Sequence, residues 1–243
     1  MHRVLIEPGQ WDAPLVRLPR AEAHYLLHVV RAQDGERVGV FDGCGGEGVA
    51  RVETTGGGAA LRLEQREPDR RPSVDLCLLQ AIPKGKRMDL LIEKTTELGV
   101  SEIVPLITER TVVRPHQARQ AGRVDRWRRV CESAARQCGV SRVPAIRDIA
   151  HLPDVLREGP GAGLFVVGVL DRPAPPLRDV LRAHPRPGRI TVLIGPEGDL
   201  TAPEIALATQ HGALPMSLGP LTLRVETAAI HVASAVGYEY GRS

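Results

Sequence analysis

Aromatic residues are scarce in this chain of 243 residues, with two phenylalanines, two tryptophans and three tyrosines making up 3% of it. A platform on which bases of a single-stranded nucleic acid would stack is therefore poorly supplied. Lysine is scarcer still: Lys84, Lys86 and Lys94 are the whole complement, and asparagine does not occur at all. The longest apolar run, Leu164 to Leu170, falls far short of the roughly 20 residues that a membrane-spanning helix needs. No GxxxxGK[ST] pattern is present, which removes the usual triphosphate cradle. Cys44, Cys77, Cys131 and Cys138 form no CxxC pair and show no zinc-type spacing with histidine, so they read as buried free thiols. His24 and His28 stand four apart without a third ligand nearby, too few for a metal site. The segment from Met1 to Glu7 lacks a long apolar signal region and meets an acid early; a cytoplasmic protein is expected.

What is present is ordinary in bulk and uneven in detail. Hydrophobic residues make up 42% and charged residues 25%, enough for a soluble chain to bury a core. The net charge of +3 hides a block between Arg110 and Arg147 that holds ten arginines against only Asp125 and Glu132. Such a surplus suits a polyanionic partner, because neutralising phosphates drives sequence-independent nucleic-acid binding. Part of it is expected to be engaged in helical ion pairs, Asp125–Arg129, Arg128–Glu132 and Glu132–Arg136. The three lysines fall within eleven residues, and a compact ammonium suits a phosphate as a point charge.

The first seventy residues read as β-rich. A short helix is predicted over Arg20–Val30, then strands over Arg37–Phe41, Gly48–Glu53 and Ala59–Glu64, separated by glycine-rich turns. Closely spaced short strands of this kind suggest a small antiparallel barrel. Gly43 to Gly48 satisfies GxGxxG, yet Val49 to Thr54 alternates with period two where a dinucleotide fingerprint requires a helix, so a hairpin turn is the better reading. Glu67 to Pro72 breaks any regular element and is the expected linker. From Ser73 strands and helices alternate. Strands are predicted over Val74–Ile82, Ile103–Ile107 and Leu164–Leu170, and helices over Lys86–Leu98, Arg123–Cys138, after the Thr201–Glu204 capping box, and over Val225–Tyr238. That order implies a parallel sheet with helices on both sides.

Two late loops carry the chemistry. One follows the apolar strand Ile190–Ile194 as Gly195-Pro196-Glu197-Gly198; the other follows Leu214–Met216 as Ser217-Leu218-Gly219 and runs through Leu223-Arg224-Val225-Glu226-Thr227-Ala228. Loops at the carboxyl ends of strands line the ligand crevice of open α/β sheets. Glycines there let backbone groups approach a ligand closely. A nucleoside-like cofactor held by backbone fits such loops; two ordinary strand-to-helix turns would fit them equally. Glu226 also suits the dipole of the final helix.

Gly195-Pro196-Glu197-Gly198 followed by Leu218-Gly219-x-x-x-Leu223-Arg224-x-Glu226-Thr227-Ala228 resembles the signature of the SPOUT-class RNA methyltransferases. More narrowly, the chain resembles the bacterial family that methylates N3 of a uridine in 16S ribosomal RNA. Lys84-x-Lys86-Arg87-Met88-Asp89, Glu93 to Val100, Pro105 to Arg110, and Arg126-Trp127 followed by Ala134 to Gln137 carry the same likeness. The resemblance implies an α/β protein: a PUA-like β-barrel that binds RNA (residues 1–71), then a SPOUT methyltransferase domain with a parallel sheet and a trefoil knot (72–243). It implies S-adenosylmethionine as cofactor, 16S rRNA or the small ribosomal subunit as partner, a homodimer, and no membrane. Arg224 is the expected catalytic cation. Leu170, Ile194, Gly195, Pro196, Glu197 and Gly198, with Ser217, Leu218, Gly219, Leu223, Thr227 and Ala228, are expected at the cofactor. Arg31, Lys84, Lys86, Arg87, Lys94, Arg110 and Arg126 are expected to face RNA. The chain departs from the pattern at Asp199, where the family usually has glycine, at Leu221 and Thr222, and at Val140. A ribose 2′-O-methyltransferase of the same class typically carries an essential asparagine, which this chain lacks. The rival from another class is a non-catalytic RNA-binding assembly factor.

Overall fold

The structure is a computed structural model that describes residues 1–56, 58–67, 73–113, 117–170, 173–185 and 187–241, with side chains 117–119 left aside. The chain divides into two compact units: Met1–Arg71 with Glu132–Val143, and Pro72–Cys131 with Pro144–Ser243. Most of the linker expected over Glu67 to Pro72 lies outside the described residues.

The first unit is a five-stranded sheet of β1 (Arg3–Leu5), β2 (Leu15–Arg17), β3 (Arg37–Phe41), β4 (Glu47–Thr55) and β5 (Gly58–Glu67), in the order β1-β3-β4-β5-β2. Every pairing is antiparallel except β1 with β3. The parallel edge comes from Arg3–Leu5, a run too short for any periodicity to show. Val4, Val16, Val38, Val40, Val52 and Leu61 point inward and meet Ala23 and Leu26. The helix predicted over Arg20–Val30 is two pieces: α1 (Arg20–His24), then a wider π-helical turn over Tyr25–Val29. Arg31 ends it in the left-handed region at φ 62°. The GxGxxG segment is the β3–β4 hairpin turn. The Asp42 carboxylate accepts from the amides of Cys44 (2.7 Å) and Gly46 (2.8 Å), and a Cβ on Gly46 would sit 2.8 Å from the Trp11 ring.

The second unit is a seven-stranded, wholly parallel sheet. Its members are β6 (Asp75–Ala81), β7 (Glu102–Ile107), β8 (Ala145–Ile146), β9 (Ala150–His151), β10 (Leu164–Gly168), β11 (Arg189–Ile194) and β12 (Leu214–Met216). The order is β12-β10-β11-β6-β7-β8, with β9 also on β7. Its helices are α2 (Arg87–Glu97), the part of α3 (Gln117–Cys138) up to Cys131, α4 (Leu152–Glu158), α5 (Leu177–Ala183), α6 (Ala202–Gln210) and α7 (Val225–Tyr240). Cys77, Leu79, Val104, Leu106, Phe165, Val167 and Leu193 share one buried cluster with α4 and α6. Their alternates, such as Leu78, Ile103, Val166 and Val192, are equally buried outside that cluster. Successive strand residues face opposite sides, so both faces are covered, and α7 packs on β6, β11, α2 and α5. Sheets covered twice read as continuous apolar runs, which is why β6, β10 and β11 were legible. Thr201 caps α6 in a full capping box with Glu204, and Gly212 at φ 90° ends it.

Three expectations need correction. The run Leu164–Leu170 is not one strand: β10 stops at Gly168 and Leu170 is half exposed. The ion pairs on α3 differ too. Arg128 bonds Asp125 (3.0 Å), Arg126 bonds Asp89, and Arg136 bonds Glu22 (2.9 Å). Helical side chains lean toward the N-terminus, which brings Arg128 back to Asp125. The third correction concerns the thiols: none is in a disulfide, but only Cys77 and Cys131 are buried, whereas Cys44 and Cys138 are exposed. Burial, and secondarily Glu102, push the Cys77 thiol up to about 12. The thiolate is the reactive species, so Cys44 and Cys138 are expected to react with Ellman's reagent in the native protein. Cys77 and Cys131 should react only after denaturation. A native count of four would contradict the assigned burial.

Candidate functional site

The strands β12, β10 and β11 are adjacent and parallel, so their carboxyl-end loops open side by side. Together with the start of α7 they enclose a cavity of about 530 Å³, its open mouth included. Gly168, Val169 and Leu170 come from the end of β10; Ile194, Gly195, Pro196 and Asp199 from the end of β11. Leu218, Gly219, Leu221 and Leu223 come from the segment after β12, and Val225 and Ala228 from α7.

Local geometry explains the loop sequences. The Pro196 carbonyl accepts from the Asp199 amide (2.9 Å), closing a tight turn. A Cβ on Gly195 would lie 3.0 Å from the Leu200 nitrogen and 3.1 Å from its Cγ, so only glycine fits there without displacement. Asp199, at φ 61°, holds the left-handed conformation. Aspartate tolerates that region better than most residues, and its carboxylate accepts from the Leu200 amide at 2.8 Å. Gly219 sits at φ 119°, and its amide donates to the Ser217 hydroxyl at 3.2 Å.

Of the residues expected at the cofactor, Leu170, Ile194, Gly195, Pro196, Leu218, Gly219, Leu223 and Ala228 line this cavity. Glu197, Gly198, Ser217 and Thr227 do not. Thr227 is exposed on α7 and Ser217 braces Gly219. Gly168, Val169, Asp199, Leu221 and Val225 line it without having been expected; the glycine interrupting the Leu164–Leu170 run was the one sequence signal available for them. Arg224 stands between Leu223 and Val225 as the N-cap of α7, exposed and with no ion-pair partner among the described residues. Glu226 is buried; its Oε1 lies 3.8 Å from the Arg87 Nε, and its Oε2 has no hydrogen-bond partner among the described residues.

The cations expected at RNA fall into distinct environments. The Glu197 carboxylate accepts from the Lys84 backbone amide (2.8 Å) and the Arg87 guanidinium (3.0 Å). The Arg110 guanidinium donates to the Gly198 carbonyl at 2.7 Å. These three segments therefore converge on the loop after β11. Lys86 is exposed at the N-cap of α2, and Arg126 is half exposed beside Asp89. Lys94 is bonded by Glu93, then Glu97, and these contacts hold its ammonium above the usual lysine range. Arg31 is exposed in the first unit.

Comparison with known proteins gives a consistent picture. The model of an RNA methyltransferase domain matches residues 70–237, and that of an RNA methyltransferase PUA domain matches residues 18–63. Ribosomal RNA small subunit methyltransferase E of Synechocystis sp. is 32% identical over 93% of this chain and 74% of its own length. The protein of that name from Mycobacterium bovis is 33% identical, with coverage of 89% and 83%. Among solved structures, methyltransferase E of Neisseria gonorrhoeae bound to S-adenosyl methionine is 30% identical. It superposes with a TM-score of 0.88, covering 98% of this chain and 97% of that one. A putative methyltransferase of Legionella pneumophila in complex with the same cofactor is 32% identical, with a TM-score of 0.84 and coverage of 98% and 96%.

Proposed function

The chain belongs to the RNA methyltransferase family, and on that premise we propose that it uses S-adenosylmethionine to methylate N3 of a uridine in 16S ribosomal RNA. The observation that carries this reading is the cavity itself, apolar-walled and set at the carboxyl ends of three parallel strands. The fit to the cofactor rests on Gly195, which lines the cavity with backbone alone, and on the apolar groups Leu170, Ile194 and Leu218, suited to a nucleoside. When bound, the cofactor supplies an electrophilic methyl group on a sulfonium.

The residues of the chain must then handle a poor nucleophile. Uridine N3 carries a proton, so the imide has to lose it before N3 can attack. Arg224, between the cavity-lining Leu223 and Val225 and with no ion-pair partner among the described residues, stabilises the resulting anion, as preorganised charge does in a transition state. Glu197 is already the acceptor for Lys84 and Arg87, which argues against it as the base. The proton passes to solvent or to Glu226, whose second oxygen is unpartnered among the described residues. Held against Leu170, Ile194 and Leu218, the cofactor would supply the methyl group to that N3 anion and would depart as a neutral thioether.

The first unit serves in RNA binding as a PUA-like barrel, and the trefoil knot and the homodimer belong to the same reading. Leu221, 74% exposed at the cavity, is the kind of apolar group a second subunit would cover. No described helix is long and apolar enough to cross a membrane. Labelled methyl transfer to isolated small ribosomal subunits and to protein-free 16S RNA, followed by mass-spectrometric mapping, tests the proposal. One N3-methylated uridine is expected; a methylated ribose or another base would replace the specificity, and calorimetry showing no cofactor binding would remove the enzyme reading.

A further inference from the structure

Arg110 sits at the tip of a turn that is held from several directions. The Thr108 amide donates to the Thr111 hydroxyl (2.9 Å), the two threonine hydroxyls bond each other (2.8 Å), and the Thr111 amide donates to the Thr108 carbonyl (3.2 Å). Next to it, the Glu109 amide donates to the Glu204 carboxylate (2.8 Å), and the Thr201 hydroxyl donates to the Glu109 carboxylate (3.0 Å). The turn is thus stapled to the start of α6, beyond the loop that follows β11. From it the Arg110 stem packs on Gly198, with Cβ and Cδ both 3.5 Å from where a Cβ would stand. One Nη donates to the Gly198 carbonyl at 2.7 Å.

Two guanidinium groups therefore touch that loop, and they differ in one respect. Arg87 faces the carboxylates of Glu197 and Glu226, so its charge is answered within the protein. Arg110 is exposed and, among the described residues, has no carboxylate within ion-pair distance; its partner is a neutral carbonyl. A guanidinium carries five donors in a rigid fork. With one of them on Gly198, the remaining edge can take a phosphate oxygen without breaking the first bond, in the bidentate manner that suits arginine.

We propose that Arg110 couples the two ligands of the site. A phosphate of the substrate RNA bound to its free edge fixes the guanidinium against the Gly198 carbonyl and rigidifies the loop from Gly195 to Asp199, so that RNA and cofactor raise each other's affinity. The proposal rests on the reading of the cavity as the S-adenosylmethionine site and of the RNA as substrate. It assigns Arg110 as a positioning residue, acting on the cofactor through the loop. Because coupling of binding free energies is reciprocal, either ligand reports it.

The test measures S-adenosylmethionine affinity by calorimetry on the full chain, with and without saturating 16S RNA transcript. For the wild-type protein the RNA is expected to tighten cofactor binding about fivefold or more. In Arg110→Lys the single ammonium cannot hold carbonyl and phosphate in the same fork geometry, so the ratio of the two affinities should fall to about one. Arg110→Ala should give the same ratio, and Lys86→Ala should weaken RNA binding while leaving the ratio at its wild-type value. A wild-type ratio of one, or a ratio unchanged in both Arg110 variants, overturns the coupling while the methyltransferase reading stands. Absence of cofactor binding altogether would overturn both, and is distinguished by the calorimetric baseline without RNA.

Discussion

Arg224→Ala is expected to lower the rate of methyl transfer by about 10²–10³-fold, the usual consequence of removing one preorganised group that stabilises a developing anion. Cofactor affinity should stay within about threefold of wild type, because an interaction made only in the transition state changes kcat and not ground-state binding. The geometry motivates both halves of that expectation. Arg224 contributes no wall to the cavity, yet its neighbours Leu223 and Val225 do, and the guanidinium has no ion-pair partner among the described residues. Its side chain also makes no cap hydrogen bond to α7, so its loss should leave the helix intact. Arg224→Lys should recover part of the rate, since charge is retained and the planar fork is not. Single-turnover kinetics on small subunits, paired with calorimetry of cofactor binding, would measure the two quantities. An Arg224→Ala enzyme with full turnover would reduce this residue to a surface position.

Gly195→Ala should weaken S-adenosylmethionine binding by roughly 5- to 150-fold, from the ~1–3 kcal/mol that forcing an extra methyl into a packed site costs. The added Cβ would meet the Leu200 nitrogen at 3.0 Å, its Cγ at 3.1 Å and the Asp199 carbonyl carbon at 3.2 Å. Two of those atoms are backbone and cannot swing aside, so the turn itself has to shift, and Asp199 lines the cavity. Gly198→Ala makes the internal control. There the new methyl meets only the Arg110 stem, at 3.5 Å, ordinary van der Waals contact. Its effect on cofactor affinity should be less than about twofold. Equal losses for the two substitutions would show that the loop responds to glycine content in general and not to the packing under Leu200.

Not every element was equally legible before the fold. Strands β6 and β11 and helices α2, α6 and α7 could be read because each carries its own period or its own terminator, such as Gly99 (φ 79°) after α2 and Gly212 (φ 90°) after α6. The short elements could not. β1, β8 and β9 have three residues or fewer and exist through their partners. α4 and α5, of seven residues each, owe their stability to a packed face, since isolated helices of that length are marginal in water. The π-helical turn at Tyr25–Val29 has no pattern distinguishing it from an ordinary helical stretch.

Sequence alone fixed the types of chemistry available: glycine loops after apolar strands, a surplus of arginine and no asparagine. Those depend on residue identity and on short-range geometry, which a linear pattern records. Tertiary structure decided which loops share a wall, because β12, β10 and β11 become neighbours through hydrogen bonds between segments far apart in the chain. It also separated cations of similar appearance, engaging Lys94 and Arg87 with nearby carboxylates while leaving Arg110 and Arg224 without one among the described residues. Electrostatic roles follow from distance through space, and distance through space is what a one-dimensional order of residues does not contain.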